Sequence, residues 1–407
     1  MNGLKKYIDK IKPNFEPGGR FAMFQSVFEG VETFLFVPNT TSKSGVHIHD
    51  SVDSKRTMTV VIMALMPALL FGMYNVGYQH YLAIGEPGTE AWMIFLFGFL
   101  AVLPKIIVSY VVGLGIEFIS AQIRGHEIQE GFLVTGMLIP MIVPVDTPLW
   151  MIAVATAFSV IFAKEIFGGT GMNIFNVALI TRAFLFFAYP AKMSGDAVFI
   201  RTSDTFGIGA GKVVEGFSGA TPLGQIATQT GGDVVLTNTL GHPISTWDMF
   251  LGLIPGSIGE TSTLAILIGA AILLFAGVAN WRIIVSVFAG GYIMGLIANI
   301  FSSTTYPGSV LLPEDQLFLG GFAFAAVFMA TDPVTAARTT LGKYIYGFLI
   351  GVMTIIIRLY NNGYPEGAML AVLFMNVFAP LIDYFVVESN IKNRLKRAAK
   401  QGGVVNG

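Results

Sequence analysis

The sequence predicts an all-α polytopic membrane protein, with ten transmembrane helices arranged as two inverted five-helix repeats. Three observations predict it. The 407 residues are 54% hydrophobic and only 12% charged, where a soluble domain carries about 25% charge. Ten apolar segments approach or exceed the roughly 20 residues a helix needs to cross a ~30 Å hydrocarbon core. Of the 24 Lys and Arg residues, all but Lys105, Arg182, Lys192, Arg201, Lys212 and Arg358 fall on one side when both termini start inside. That bias satisfies the positive-inside rule.

The elements follow in chain order. Residues 1–56 lack an apolar leader core, so no cleaved signal is expected. Within them Phe21, Phe24, Phe28, Val31 and Leu35 recur at helical spacing, with Glu29 and Glu32 between. This pattern predicts an amphipathic helix on the inner membrane surface or on a partner subunit. The first repeat, 57–191, holds spans 57–79, 91–122, 131–145, 148–163 and 173–191. The second of these is long enough for two crossings, but Pro104 and Lys105 make a poor membrane turn, so it reads as one tilted or kinked span. Residues 192–261 form a loop on the outer face, rich in Gly, Thr and Ser. The second repeat, 262–387, holds spans 262–278, 282–302, 317–333, 343–360 and 366–387. Residues 388–407 are a basic tail; an odd number of spans would place its Lys392–Lys400 cluster outside.

Five spans is an odd number, so the second repeat must be inverted relative to the first. Leu69-Leu70-Phe71 and Leu273-Leu274-Phe275 are echoes of one another. Spans three and eight are both short and both end at an acid beside proline, in Asp146-Thr147-Pro148 and Thr331-Asp332-Pro333. About 15 residues reach only ~22 Å at 1.5 Å per residue. Paired short segments at matching places point to broken helices around an ion path. The alternative is that Pro and Gly are simply common in membrane helices.

Composition excludes several chemistries. With no cysteine there are no disulfides, iron–sulfur ligands or thiolate metal sites. A net charge of −1 suggests no nucleic-acid partner. Among the five histidines only His47 and His49 are close in sequence, a loose pair without a metal pattern, and no Ser-His-Asp set is arguable. Gly207-Ile208-Gly209-Ala210-Gly211-Lys212 is followed by Val213, not the Ser or Thr of a P-loop, and has no βαβ context. The chain therefore carries no NADH site of its own.

Charges inside spans cost about 2.5–3.5 kcal/mol each on insertion scales, so they mark function or pairing. Glu117, Asp332 and Asp383 are hard-oxygen groups suited to a small cation. The other reading is ion pairing within the bundle, with Arg182 meeting one of these acids. Arg182 itself suits pairing or a cofactor contact. Gly168-Gly169-Thr170-Gly171 permits close helix packing or approach to a planar ligand. In the outer loop, Ser218-Gly219-Ala220-Thr221 is a small-residue turn that lets a bulky group near the backbone, and Thr221 offers a hydroxyl for esterification. Such a four-residue motif arises often by chance and does not decide alone.

Taken together, several long stretches resemble the B-type membrane subunits of the sodium-translocating NADH:quinone oxidoreductases, and the likeness runs along nearly the whole chain. They include Phe15-Glu16-Pro17-Gly18-Gly19, Asp50 to Arg56, Ala163 to Gly171, Arg182 to Pro190, Ser218 to Thr221, Ile254 to Glu260, Met329 to Pro333 and Tyr364 to Gly367. The resemblance implies a fold similar to urea transporters and an FMN held as a phosphoester on Thr221. It also implies non-covalent riboflavin, a share of the quinone site, sodium export, and five partner subunits (A, C, D, E and F) in a bacterial inner membrane with both termini cytoplasmic. It places quinone contacts at Gly113 and Phe132, sodium-linked acids at Glu117, Asp332 and Asp383, and path-lining rings at Phe324 and Phe328. Glu29 matches an N-terminal acid of similar standing. Departures are Leu114 where a second glycine is common, Val177 where proline is common, the base Lys105, and a short loop between spans one and two.

Two alternatives remain at this point. The homologous D-type component of the ferredoxin:NAD oxidoreductase (Rnf) complex shares the spans and the flavin threonine, but starts close to its first span. A urea-transporter-like channel would need no covalent cofactor.

Overall fold

The computed structural model describes residues 2–15, 19, 28, 44, 45, 54–124, 131–193, 195, 198–215, 217, 219–229, 235–302, 306–361 and 363–405. Among them the regular structure is helical, with only two isolated bridges, Thr205 with Ile208 and Thr237 with Pro243. Helix α1 (Asn2–Ile11) precedes the bundle. The expected amphipathic helix over 21–35, and Glu29 with it, lies outside the described residues apart from Phe28, whose ring stacks on Phe15 at 4.5 Å.

The first group of helices is α2 (Ser54–Ala83), α3 (Ala91–Arg124), α4 (Phe132–Met141), α5 (Leu149–Ser159) and α6 (Val177–Ala188). Helix α5 continues as a π-helical segment, Val160–Lys164. The outer loop contributes the short helices α7 (Pro222–Thr228) and α8 (Thr246–Leu251). The second group is α9 (Thr263–Phe275), α10 (Trp281–Ile300), α11 (Pro313–Phe318), α12 (Phe322–Phe324), α13 (Thr340–Tyr360) and α14 (Ala368–Val405). Helix α12 also runs into a π segment, Ala325–Met329.

Six helical segments are long and apolar enough to cross a membrane, and three apolar helices, α4, α6 and α9, are shorter. The structure corrects the eighth predicted span. Residues 317–333 are not one helix: the chain turns at Gly320 and Gly321, with φ of 58° and 69°, before α12 begins. That left-handed pair is open to glycine at little steric cost. Spans three and five also shorten, because Ile142 and Asn176 leave helical geometry or cap it. Helix α14 carries the basic tail on its last turns instead of ending before it.

Packing repeats in order. In the first group α3 lies against α4 and α5, and α5 against α6; in the second α10 lies against α11 and α13, and α13 against α14. The groups meet where α2 packs on α9 and α6 on α14. One difference stands out: α2 also packs extensively on α3.

Small residues set these contacts, as expected where lipid is as apolar as the core. A Cβ on Gly77 would fall 1.9 Å from the Ile94 carbonyl oxygen, and one on Gly98 1.7 Å from that of Met73. In the second group a Cβ on Gly351 would fall 2.2 Å from the Val287 oxygen. Side-chain caps start the shorter helices: Asn176 accepts from the amides of Ala178 and Leu179, and Ser262 from that of Ala265. Such caps satisfy the free N–H groups of a first turn.

Candidate functional site

Two non-helical segments fold in among the helices. The chain from Gly252 to Ser262 touches α2 and α4: Asn75 donates to the Ile254 oxygen at 2.9 Å, and the Gly259 amide donates to the Met141 oxygen at 2.7 Å. Residues 363–367 approach from the other group. Each brings one carboxylate, Glu260 and Glu366, to the same guanidinium, that of Arg182. All three side chains are buried, and the Tyr364 hydroxyl oxygen accepts a further hydrogen bond from the guanidinium. Arg182 therefore meets neither Glu117, Asp332 nor Asp383, the partners expected from the spans. Its true partners sit in loops, where counting charges inside spans does not look.

Glu260 and Glu366 line a small open pocket with Thr221, Ile254, Ser257, Thr261, Gly320 and Gly321. Arg182 is not on that wall; it reaches the cavity only through the two glutamates it holds. Thr221 is the N-cap of α7: its hydroxyl oxygen accepts the Gly224 amide at 3.1 Å, and its own amide donates to the Gly195 oxygen at 2.8 Å. A Cβ on Gly195 would lie 3.1 Å from that hydroxyl, and one on Gly224 3.2 Å from it. A Cβ on Gly224 would also stand 2.5 Å from the Gly195 oxygen, so Gly224 must be bare. Thr261 contributes a buried hydroxyl with no hydrogen-bond partner among the described residues. Gly219 and Ala220 lead into the cap, Ala220 being buried; Ser218 lies outside the described residues.

Arg358 lies beside this cavity, its Nη2 3.1 Å from where a Cβ on Gly320 would stand. The side chain is buried and its guanidinium donates to the carbonyl oxygens of Gln316, Leu319 and Glu366. Nothing in its sequence neighbourhood marked it; the signal was only its place among the six bases off the inner side.

The three acids named from the spans are distributed. Glu117 on α3 pairs with Lys164, both side chains 5% exposed. Asp332 follows the second π segment; it accepts from Asn176 Nδ2 at 3.1 Å and from the Val334 amide at 3.0 Å. Asn176 thus caps α6 and ties it to the second group. Asp383 accepts from the amides of Arg338 and Thr339 at 2.6 and 3.0 Å, and from the Thr339 hydroxyl at 2.6 Å. The three acids do not converge, and no cluster of three or more metal-ligating side chains occurs among the described residues.

Gly113 and Phe132 do come together. A Cβ on Gly113 would fall 1.8 Å from the Phe132 ring, so the ring lies directly on the bare α3 backbone, edge-on to Tyr110. Leu114 packs at the side of the core instead. Phe324 and Phe328 are buried with ring centroids 5.0 Å apart, and Phe328 reaches the backbone at Gly269. On the outer side Asp146 lies 3.7 Å from Arg201. Burial pushes its carboxyl above the usual aspartate value, against the pull of Arg201, Lys105 and Lys192.

Comparison with known proteins fits this layout. The NQR2, RnfD, RnfE family matches residues 41–392. The chain belongs to this family. Curated relatives named as the B component of Na(+)-translocating NADH-quinone reductase share 44% of residues: one from Chromohalobacter salexigens spans 99% of both chains. Another, from Pseudomonas aeruginosa PAO1, covers 97% of this chain and 99% of its own, and one from Klebsiella pneumoniae 342 covers 97% and 100%.

Proposed function

We propose that the chain is the membrane subunit, of the B type, of a respiratory sodium pump that oxidises NADH and reduces quinone. In this reading it is a ten-helix protein of two inverted halves in a bacterial inner membrane, with both termini cytoplasmic and five other subunits as partners. The repeated packing order of the two groups supports that architecture. Names of full-length relatives support the assembly.

The observation that carries the reading is Thr221 at the cavity. Its hydroxyl stands between two glycines at the rim of a space walled by Gly320, Gly321, Ser257 and Thr261. A phosphoester of FMN fits such a donor: the hydroxyl oxygen is the attachment point, and the amide of Gly224 already addresses it. FMN, when bound, would accept and pass on electrons. The chain's own contribution is to fix the attachment, exclude water behind Leu223 and Ile254, and hold the two glutamates in place on Arg182. Riboflavin and ubiquinone or menaquinone complete the proposed electron route, with Gly113 and Phe132 as quinone contacts.

Exporting one sodium ion against ~150 mV costs about 3.5 kcal/mol, at ~2.3 kcal/mol per charge per 100 mV. A passive channel supplies none of this. Electron transfer supplies it if flavin reduction and oxidation favour different helix arrangements. The acids Glu117, Asp332 and Asp383, with Phe324 and Phe328, line the proposed path.

The test is a denaturing gel. A yellow fluorescent band is expected at this subunit's mass, and Thr221→Ala should remove it. A wild-type band without fluorescence would favour a cofactor-free transporter.

A further inference from the structure

We propose that Lys164 is a tethered counter-ion that occupies Glu117 when no sodium ion does, and that an arriving ion must displace it. This rests on the reading of Glu117 as a path acid.

The pair is isolated. Lys164 Nζ and Glu117 Oε1 meet inside the bundle with each side chain 5% exposed, and the second carboxylate oxygen, Oε2, is buried without a hydrogen-bond partner among the described residues. An ammonium group and an alkali ion are both monovalent cations that need oxygen ligands. A buried carboxylate neutralises one of them, not both, since an extra charge in a low-dielectric interior is costly. The free Oε2 leaves half of the carboxylate open to an incoming ion while Lys164 holds the other half.

The backbone departs from regular helix at Lys164. Lys164 ends the π segment and has φ −125° and ψ −63°, away from helical values. Wide turns of this kind recur at functional sites. Gly168, Gly169 and Gly171 follow with φ of 114°, 98° and 90°. No atom outside the local chain comes within 4 Å of a Cβ built on Gly171, so its conformation, not crowding, calls for glycine. Next in sequence, Glu165 is 15% exposed and engaged with Arg124 at 3.5 Å and with Ser120 at 2.5 Å. That second pair offers Lys164 a nearby acidic neighbour at the inner surface once it leaves Glu117.

The test uses the whole complex in native membranes. Lysines are acetylated with an amine-reactive reagent in sodium chloride or in choline chloride, and peptides are quantified by mass spectrometry. Modification of Lys164 is expected to rise several-fold in sodium while that of exposed Lys396 stays constant. Equal modification in both salts overturns the proposal. In parallel, Lys164→Gln should lower the sodium concentration for half-maximal turnover by roughly tenfold, equivalent to about 1.4 kcal/mol, and Lys164→Arg should not. An unchanged or higher requirement in Lys164→Gln counts against it, and if that variant does not assemble the labelling decides alone. Glu117→Gln separates the two readings. If it keeps wild-type sodium activation, the path assignment of Glu117 fails; if it loses activation while Lys164 labelling ignores sodium, only the counter-ion proposal fails.

Discussion

Arg182 shows how one residue organises the outer cavity. Its two ends are claimed by carboxylates from two different loops, so removing it strands both in a buried place. Breaking such a pair from one side costs about 3–5 kcal/mol. Arg182→Gln should therefore lower the thermal midpoint of the detergent-solubilised subunit and its yield. Arg182→Lys should rescue little, because a single ammonium cannot serve two carboxylates as a planar fork does. At Asp383 the expectation is milder. Asn offers one accepting oxygen where three donors now converge, so Asp383→Asn should cost about 1–2 kcal/mol, read by thermal unfolding, alongside any change in sodium activation. The sequence singled out Thr221, Gly113 and Phe132; in the structure Thr221 lines the pocket and the Phe132 ring lies on the backbone of Gly113. Glu260 and Glu366 were not recognised as partners of Arg182, because a search for charges inside apolar spans passes over loops that fold inward.

At the scale of elements, hydrophobic length predicted the long helices and failed at the broken one. Span eight is apolar up to Ala330, and its shortness marked it as a broken helix, but hydropathy cannot place a left-handed turn, so the break at Gly320-Gly321 went unmarked. Shortness at span three was visible in the Asp-Thr-Pro punctuation. The π segments left no mark that an apolar run would reveal. Helix contacts give a sharp contrast for test. In Gly351→Ala the new methyl would press on the Val287 carbonyl, and overpacking of this kind costs about 1–3 kcal/mol. Gly115→Ala meets nothing within 4 Å and should be neutral or stabilising by up to about 1 kcal/mol from helix propensity. Thermal unfolding of the two variants in the same detergent compares them directly.

For the whole molecule, orientation follows from charge counting and is simple to check because the chain has no cysteine. Lys212→Cys and Lys396→Cys place single thiols at exposed positions on opposite predicted sides. A membrane-impermeant maleimide added to intact spheroplasts should label the first, and the second only after lysis. Helix α3 has a broader effect. Its 34 residues make a rod of about 51 Å, while α4 and α6, at 10 and 12 residues, reach only about 15–18 Å. No single slab of lipid, ~30 Å thick in its hydrocarbon part, matches all three. Helix α4 carries no exposed residue, so the mismatch with lipid falls on α3, which must tilt or thicken the layer around it, and turnover in reconstituted vesicles should peak at one acyl-chain length and fall on either side of it.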